Sequence, residues 1–130
     1  MFKTTTQYVD MRLYRYTKDK LYGETLNKIT YIDFKGGVAR EINVPKGFKT
    51  DFASIPRIFY CILTPIGKHT QPAILHDYLY SFGYKEGFSR KDSDRIFLEA
   101  MSDCGVNVVT RRLMWLAVRL FAFPFYKTKD

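Results

Sequence analysis

Two periodicities divide the chain. Up to about Pro56 apolar and polar residues tend to alternate, the period of a half-buried strand, and beyond it apolar residues recur three and four apart, the period of a helix. Residues 12–16, 28–34 and 38–44 are predicted strands, rich in aromatic and β-branched side chains. Lys35-Gly36-Gly37 supplies a turn between the last two, and in the resulting hairpin Val38, Ile42 and Val44 share one face while Ala39, Glu41 and Asn43 share the other.

The helical half carries clear punctuation. Ser89 followed by Asp92 is a capping-box-like start; Ile96, Phe97, Ala100, Met101 and Cys104 follow at helical spacing, and Gly105 stops the run. An earlier helix begins near Pro72, which suits a first-turn position, and carries Ala73 through Tyr80. A last one spans residues 108–122, with Pro124 ending it. Short antiparallel strands followed by three helices predict an α+β domain, β-rich over about 1–56 and helical over 57–130.

Composition narrows the picture. A chain of 130 residues suits one domain with its own core, and neither repeats nor linkers divide it. With 46% hydrophobic and 26% charged residues, a wholly disordered, collagen-like or coiled-coil chain is excluded. Cys61 and Cys104 read as small buried apolar residues, which implies a reducing compartment. No secretory signal is visible at the N-terminus, and the longest apolar stretch, 113–125, is broken by Arg119 and Pro124 and too short for a bilayer of about 30 Å.

The net charge of +8 calls for a partner: nucleic acid, an anionic membrane, an acidic protein, or only solvent. From Gly105 to Lys129 the chain carries Arg111, Arg112, Arg119, Lys127 and Lys129 and no acid. A basic, aromatic-rich helix suits a membrane surface or nucleic acid. The wide spread of its apolar residues favours instead a core helix with a narrow solvated stripe, on whose face Arg112 and Arg119 fall seven apart. No nucleic-acid reading motif accompanies them, which makes nucleic acid the weaker partner.

Three clusters carry candidate chemistry. His76 and Asp77 interrupt an otherwise apolar helix; either partners satisfy them and they only orient it, or they take part in catalysis. Asp94 lies three residues before Phe97 and seven before Met101, on the stripe that faces the core, where a carboxylate needs a partner. A short loop, 83–88, joins the two helices, which brings Asp94 within reach of His76. A carboxylate that fixes a histidine tautomer, leaving the other ring nitrogen as general base on water, is recurrent in hydrolases. Asp77 suits a hard cation such as calcium. Asp51 through Arg57 form the third cluster, in which Asp51 or Ser54 caps a helical turn or, alternatively, Asp51 joins His76 and Asp77 in a metal or acid–base constellation.

These residues resemble a family. Val44-Pro45-Lys46-Gly47-Phe48-Lys49-Thr50-Asp51-Phe52-Ala53-Ser54-Ile55-Pro56-Arg57, then Leu75-His76-Asp77-Tyr78-Leu79-Tyr80, then Ser89-Arg90 with Asp94, look like the signature of the domain of unknown function thirteen-fifty-three of tailed phages and prophages. The resemblance implies a phage or prophage origin, synthesis in a host cytoplasm and a place in or beside the virion, and its motifs make Asp51, Ser54, Arg57 and Arg90 candidate binding residues. Locally, His76-Asp77 with Tyr80 and Asp94 is also similar to the two-helix core of A-two type phospholipases. That similarity implies His76 as general base, Asp94 as its partner, Tyr80 in support and Asp77 as a calcium ligand. The paired disulfides of those enzymes are missing, and their calcium loop would fall on Thr64-Pro65-Ile66-Gly67, with one glycine.

Overall fold

The predicted order of strands, then helices, is the one the chain adopts. The structure, a computed structural model, describes residue 2 and residues 11–17, 20–50 and 68–128. Five strands come first: β1 (Met11–Thr17), β2 (Lys20–Thr25), β3 (Ile29–Asp33), β4 (Arg40–Val44) and β5 (Lys49–Thr50). Three helices follow: α1 (Thr70–Phe82), α2 (Arg90–Asp103) and α3 (Val108–Phe121).

The hairpin of β3 and β4 pairs Ile29 with Val44 and Tyr31 with Ile42. All four side chains are buried, which meets the expectation for Ile42 and Val44. Val38 departs from it, lying outside β4 and exposed. Gly36 and Gly37 take left-handed φ values of 70° and 76°, and the tight turn closed by Gly37 N–H on the Phe34 carbonyl delays pairing until Arg40. Strands β1, β2 and β5 form a separate antiparallel sheet in that order. Neither β2, with Gly23 inside it, nor the two-residue β5 carries enough alternation to stand out in the sequence.

Thr25 fixes how β5 enters. Its hydroxyl donates to the Pro45 carbonyl at 2.8 Å and accepts from Phe48 N–H at 3.0 Å, while its carbonyl accepts from Gly47 N–H at 2.8 Å. Gly47, at φ 83°, makes that turn possible. The turn delivers Thr50 to α1, where its hydroxyl donates to Asp77 Oδ2.

The helix signals hold. Ser89 caps α2, its Oγ accepting from Asp92 N–H at 3.0 Å. At the other end Gly105 (φ 81°) donates to Ser102 O and Val106 to Met101 O, the two bonds of a Schellman ending. Asn107 caps α3 through Thr110 N–H. Most of α1 is buried, as expected of a helix apolar on nearly every side. It packs on α2, and α2 on α3. The core joins Ile29, Tyr31, Ile42 and Val44 of the hairpin to Ile74, Leu75, Leu79, Ile96, Phe97, Met101, Met114 and Val118 of the helices.

Helix α3 corrects its expectation. Only Met114, Ala117 and Val118 of it are buried, because the helix touches its neighbour along one edge. Val109, Leu113, Leu116 and Leu120 lie exposed on the other side. Arg119, expected on the solvated stripe, turns toward Asp94.

Candidate functional site

Three helices converge on one carboxylate. Asp94, fully buried on the inner side of α2, receives His76 Nε2 of α1 at 2.7 Å and the Tyr80 hydroxyl, one turn along α1, at 2.6 Å, both on Oδ1. Arg119 of α3 donates to Oδ2 at 2.8 Å, and Arg90 stands 3.7 Å from the same oxygen. The spacing of four between His76 and Tyr80 puts both on the face of α1 that meets α2.

Aromatic rings fix the histidine. The His76 ring lies 4.1 Å from that of Tyr80 and 4.7 Å from that of Phe97, centroid to centroid, and has no exposed surface. Arg90 serves two ends of the assembly. It donates to the carbonyls of Val118 and Arg119 at 3.2 Å each and approaches the Tyr80 hydroxyl at 3.4 Å, which ties the last turn of α3 to the site.

Of the sequence-derived candidates, His76, Tyr80, Asp94 and Arg90 are brought together. Asp77 faces the other way and meets Thr50 of β5. Asp51, Ser54 and Arg57, the Thr64–Gly67 stretch and Cys61 lie outside the described residues. Among the described residues no three His, Cys, Asp or Glu side chains converge as metal ligands. The other residues expected to join Asp77 at a cation, Asp51 and the 64–67 loop, are among those outside the described residues. Cys104 is a buried free thiol, in keeping with its reading as a small buried apolar residue, and burial pushes its pKa up to about 11.

Sequence reasoning missed Arg119, Thr50 and a second ionic cluster. Asp33, buried at the end of β3, accepts from Arg40 of β4 at 3.0 Å and from both terminal nitrogens of Arg95 on α2, at 3.1 and 3.0 Å. The signal was present, since Asp33 continues the inward series Ile29, Tyr31. Arg119 had one as well: it is the lone charge within the apolar run 113–125.

The electrostatics follow from these contacts. Burial is the largest single influence on Asp94 and raises its pKa, but the hydrogen bond and charge of His76, with the bonds from Tyr80 and Arg119, together outweigh it and leave the carboxyl below its ordinary range. At Asp33 burial is again the largest influence and is again outweighed, here by Arg95 and Arg40. Burial, then the bond to Asp94, raises the Tyr80 pKa, so its hydroxyl stays a donor at neutral pH.

Both carboxylates titrate lower when folded than unfolded. Each contributes stability that is fully present above the unfolded range near pH 4 and is lost as the pH falls through its lower folded value. The urea midpoint is expected to hold from about pH 7 to 5 and to drop steeply below about pH 4, with the drop shallower in Asp33→Ala and Asp94→Ala. A wild-type midpoint that stays flat to about pH 3 would refute this.

The described helices include none long and apolar enough to cross a membrane. No curated protein and no solved structure matches the chain. A family model does match, over residues 24–118, from β2 to the third turn of α3, and takes in the hairpin, the Thr50–Asp77 contact and every group on Asp94 except Arg119. With most of its length matched, the chain belongs to the family described as protein of unknown function (DUF1353).

Proposed function

We propose that this is a phage- or prophage-type protein, made in the host cytoplasm, whose His76–Asp94 pair is the acid–base centre of a hydrolase acting on lipid or another cell-envelope ester. The observation that supports the reading is the 2.7 Å bond from Asp94 to His76 Nε2, backed by Tyr80. It commits Nε2 to the carboxylate, and on this reading Nδ1 is the nitrogen that exchanges the proton. In that chemistry Nδ1 takes a proton from water as the water oxygen attacks the ester carbonyl. The proton passes to the leaving alkoxide when the C–O bond breaks, and Asp94 stays ionised throughout.

The complete burial of His76 favours a second reading. A general base needs access to water, and two arginines beside Asp94 satisfy a carboxylate that a catalytic histidine would otherwise share with fewer partners. On this reading the protein is a non-enzymatic virion or accessory component, and the cluster is a structural polar network.

Turnover of a fluorescent phospholipid and of a soluble aryl ester, with and without calcium, separates them. The hydrolase reading requires wild-type turnover that falls about 10²–10⁴-fold in His76→Ala, with melting curves showing both proteins folded. Absence of turnover by wild type on both esters removes it in favour of the second.

A further inference from the structure

The outer face of α3 takes no part in the His76–Asp94 assembly. Val109, Leu113, Leu116 and Leu120 are exposed to 65%, 53%, 47% and 56%. Their spacings of four, three and four put them on one line along the helix. Phe121, Phe123 and Phe125 extend the apolar surface past the end of α3, each more than half exposed. A contiguous apolar strip of this kind on a soluble domain marks a contact surface.

Charge selects the occupant. Beside one edge of the strip stands Arg112 and, past its end, Lys127, both exposed, while the groove between α2 and α3 is lined by Lys91, Arg95 and Arg119 with one acid, Asp92. No acid occurs from Gly105 to Lys129. Two copies of this chain placed strip to strip would set two basic helices together with no carboxylate on either to answer, which disfavours self-association. An anionic surface answers the same charges. Apolar side chains in the middle, cations at the edges and phenylalanines at one end match an amphipathic helix lying in the plane of a bilayer.

We infer that the outer face of α3, with the Phe121–Phe125 end, docks this domain on anionic phospholipid membrane. The apolar strip enters the boundary between headgroups and acyl chains, and Arg112 and Lys127 meet lipid phosphates. The inference does not depend on the hydrolytic reading, since nothing in the docking uses His76.

The test is co-sedimentation with vesicles of phosphatidylcholine containing about 30 mol% phosphatidylglycerol, against vesicles of phosphatidylcholine alone. Anionic vesicles are expected to bind at least about tenfold more tightly than neutral ones, with affinity falling as salt rises. Leu116→Ser/Leu120→Ser and Arg112→Gln/Lys127→Gln, all at exposed positions and checked by thermal melts, each reduce binding about tenfold or more. His76→Ala binds as wild type does, so loss of turnover and loss of docking are read separately. Equal partition into both vesicles, no binding to either, or a stable dimer in ultracentrifugation that Leu116→Ser/Leu120→Ser dissociates overturns the inference.

Discussion

Replacing Asp94 with alanine is expected to cost about 3–5 kcal/mol of folding stability, a large share of what a domain of this size possesses. The cost arises less from the bonds lost than from what they leave behind. His76 and Tyr80 retain buried polar atoms with no acceptor, and Arg119 retains a charge directed into the space between α2 and α3. Asp94→Asn keeps the shape and removes the charge. It is expected to recover only part of the loss, because an amide offers one acceptor oxygen where three donors converge. Urea denaturation measures both, with an unchanged slope showing that the native fold is retained. A loss under about 1 kcal/mol for Asp94→Ala would mean that the network is ornamental and that burial alone holds the helices.

Phe97→Ala is expected to cost a similar amount, about 3–5 kcal/mol, by a different route. Phe97 is fully buried on α2 and lies against the His76 ring, so truncation opens a cavity beside the site without removing a charge. The two variants therefore separate with pH. The deficit of Asp94→Ala shrinks as wild-type Asp94 becomes protonated in acid, whereas that of Phe97→Ala persists. Denaturation at pH 7 and again near pH 3 reads the contrast directly. Parallel behaviour of the two variants would show that Asp94 contributes through packing and not through its charge.

How much of this was legible beforehand depended on whether the cause was local. Ser89 and Gly105 announce α2 because a cap and a left-handed stop act within a few residues. Asp94 was conspicuous as a carboxylate on an apolar stripe, and a short loop between helices was enough to direct it to His76. Arg119 was misplaced because helical spacing gives the face a residue occupies but not which neighbour that face meets. The same limit explains α3, whose apolar residues are distributed as they would be in a core helix although one edge alone is covered. Strand β5 was invisible for another reason: two residues have no period, and Thr25 positions it from across the chain.

Helix α1 is enclosed along most of its length, and that enclosure governs how the protein can move. A segment with little solvent edge has nowhere to begin fraying, so its backbone amides exchange with solvent only when the domain opens as a whole. The residues on it are held as a rigid template, and among the described residues the surfaces left to accommodate a binder include the turn at Gly36 and Gly37 and the outer side of α3. The domain thus divides its labour between an invariant interior geometry and an adaptable exterior.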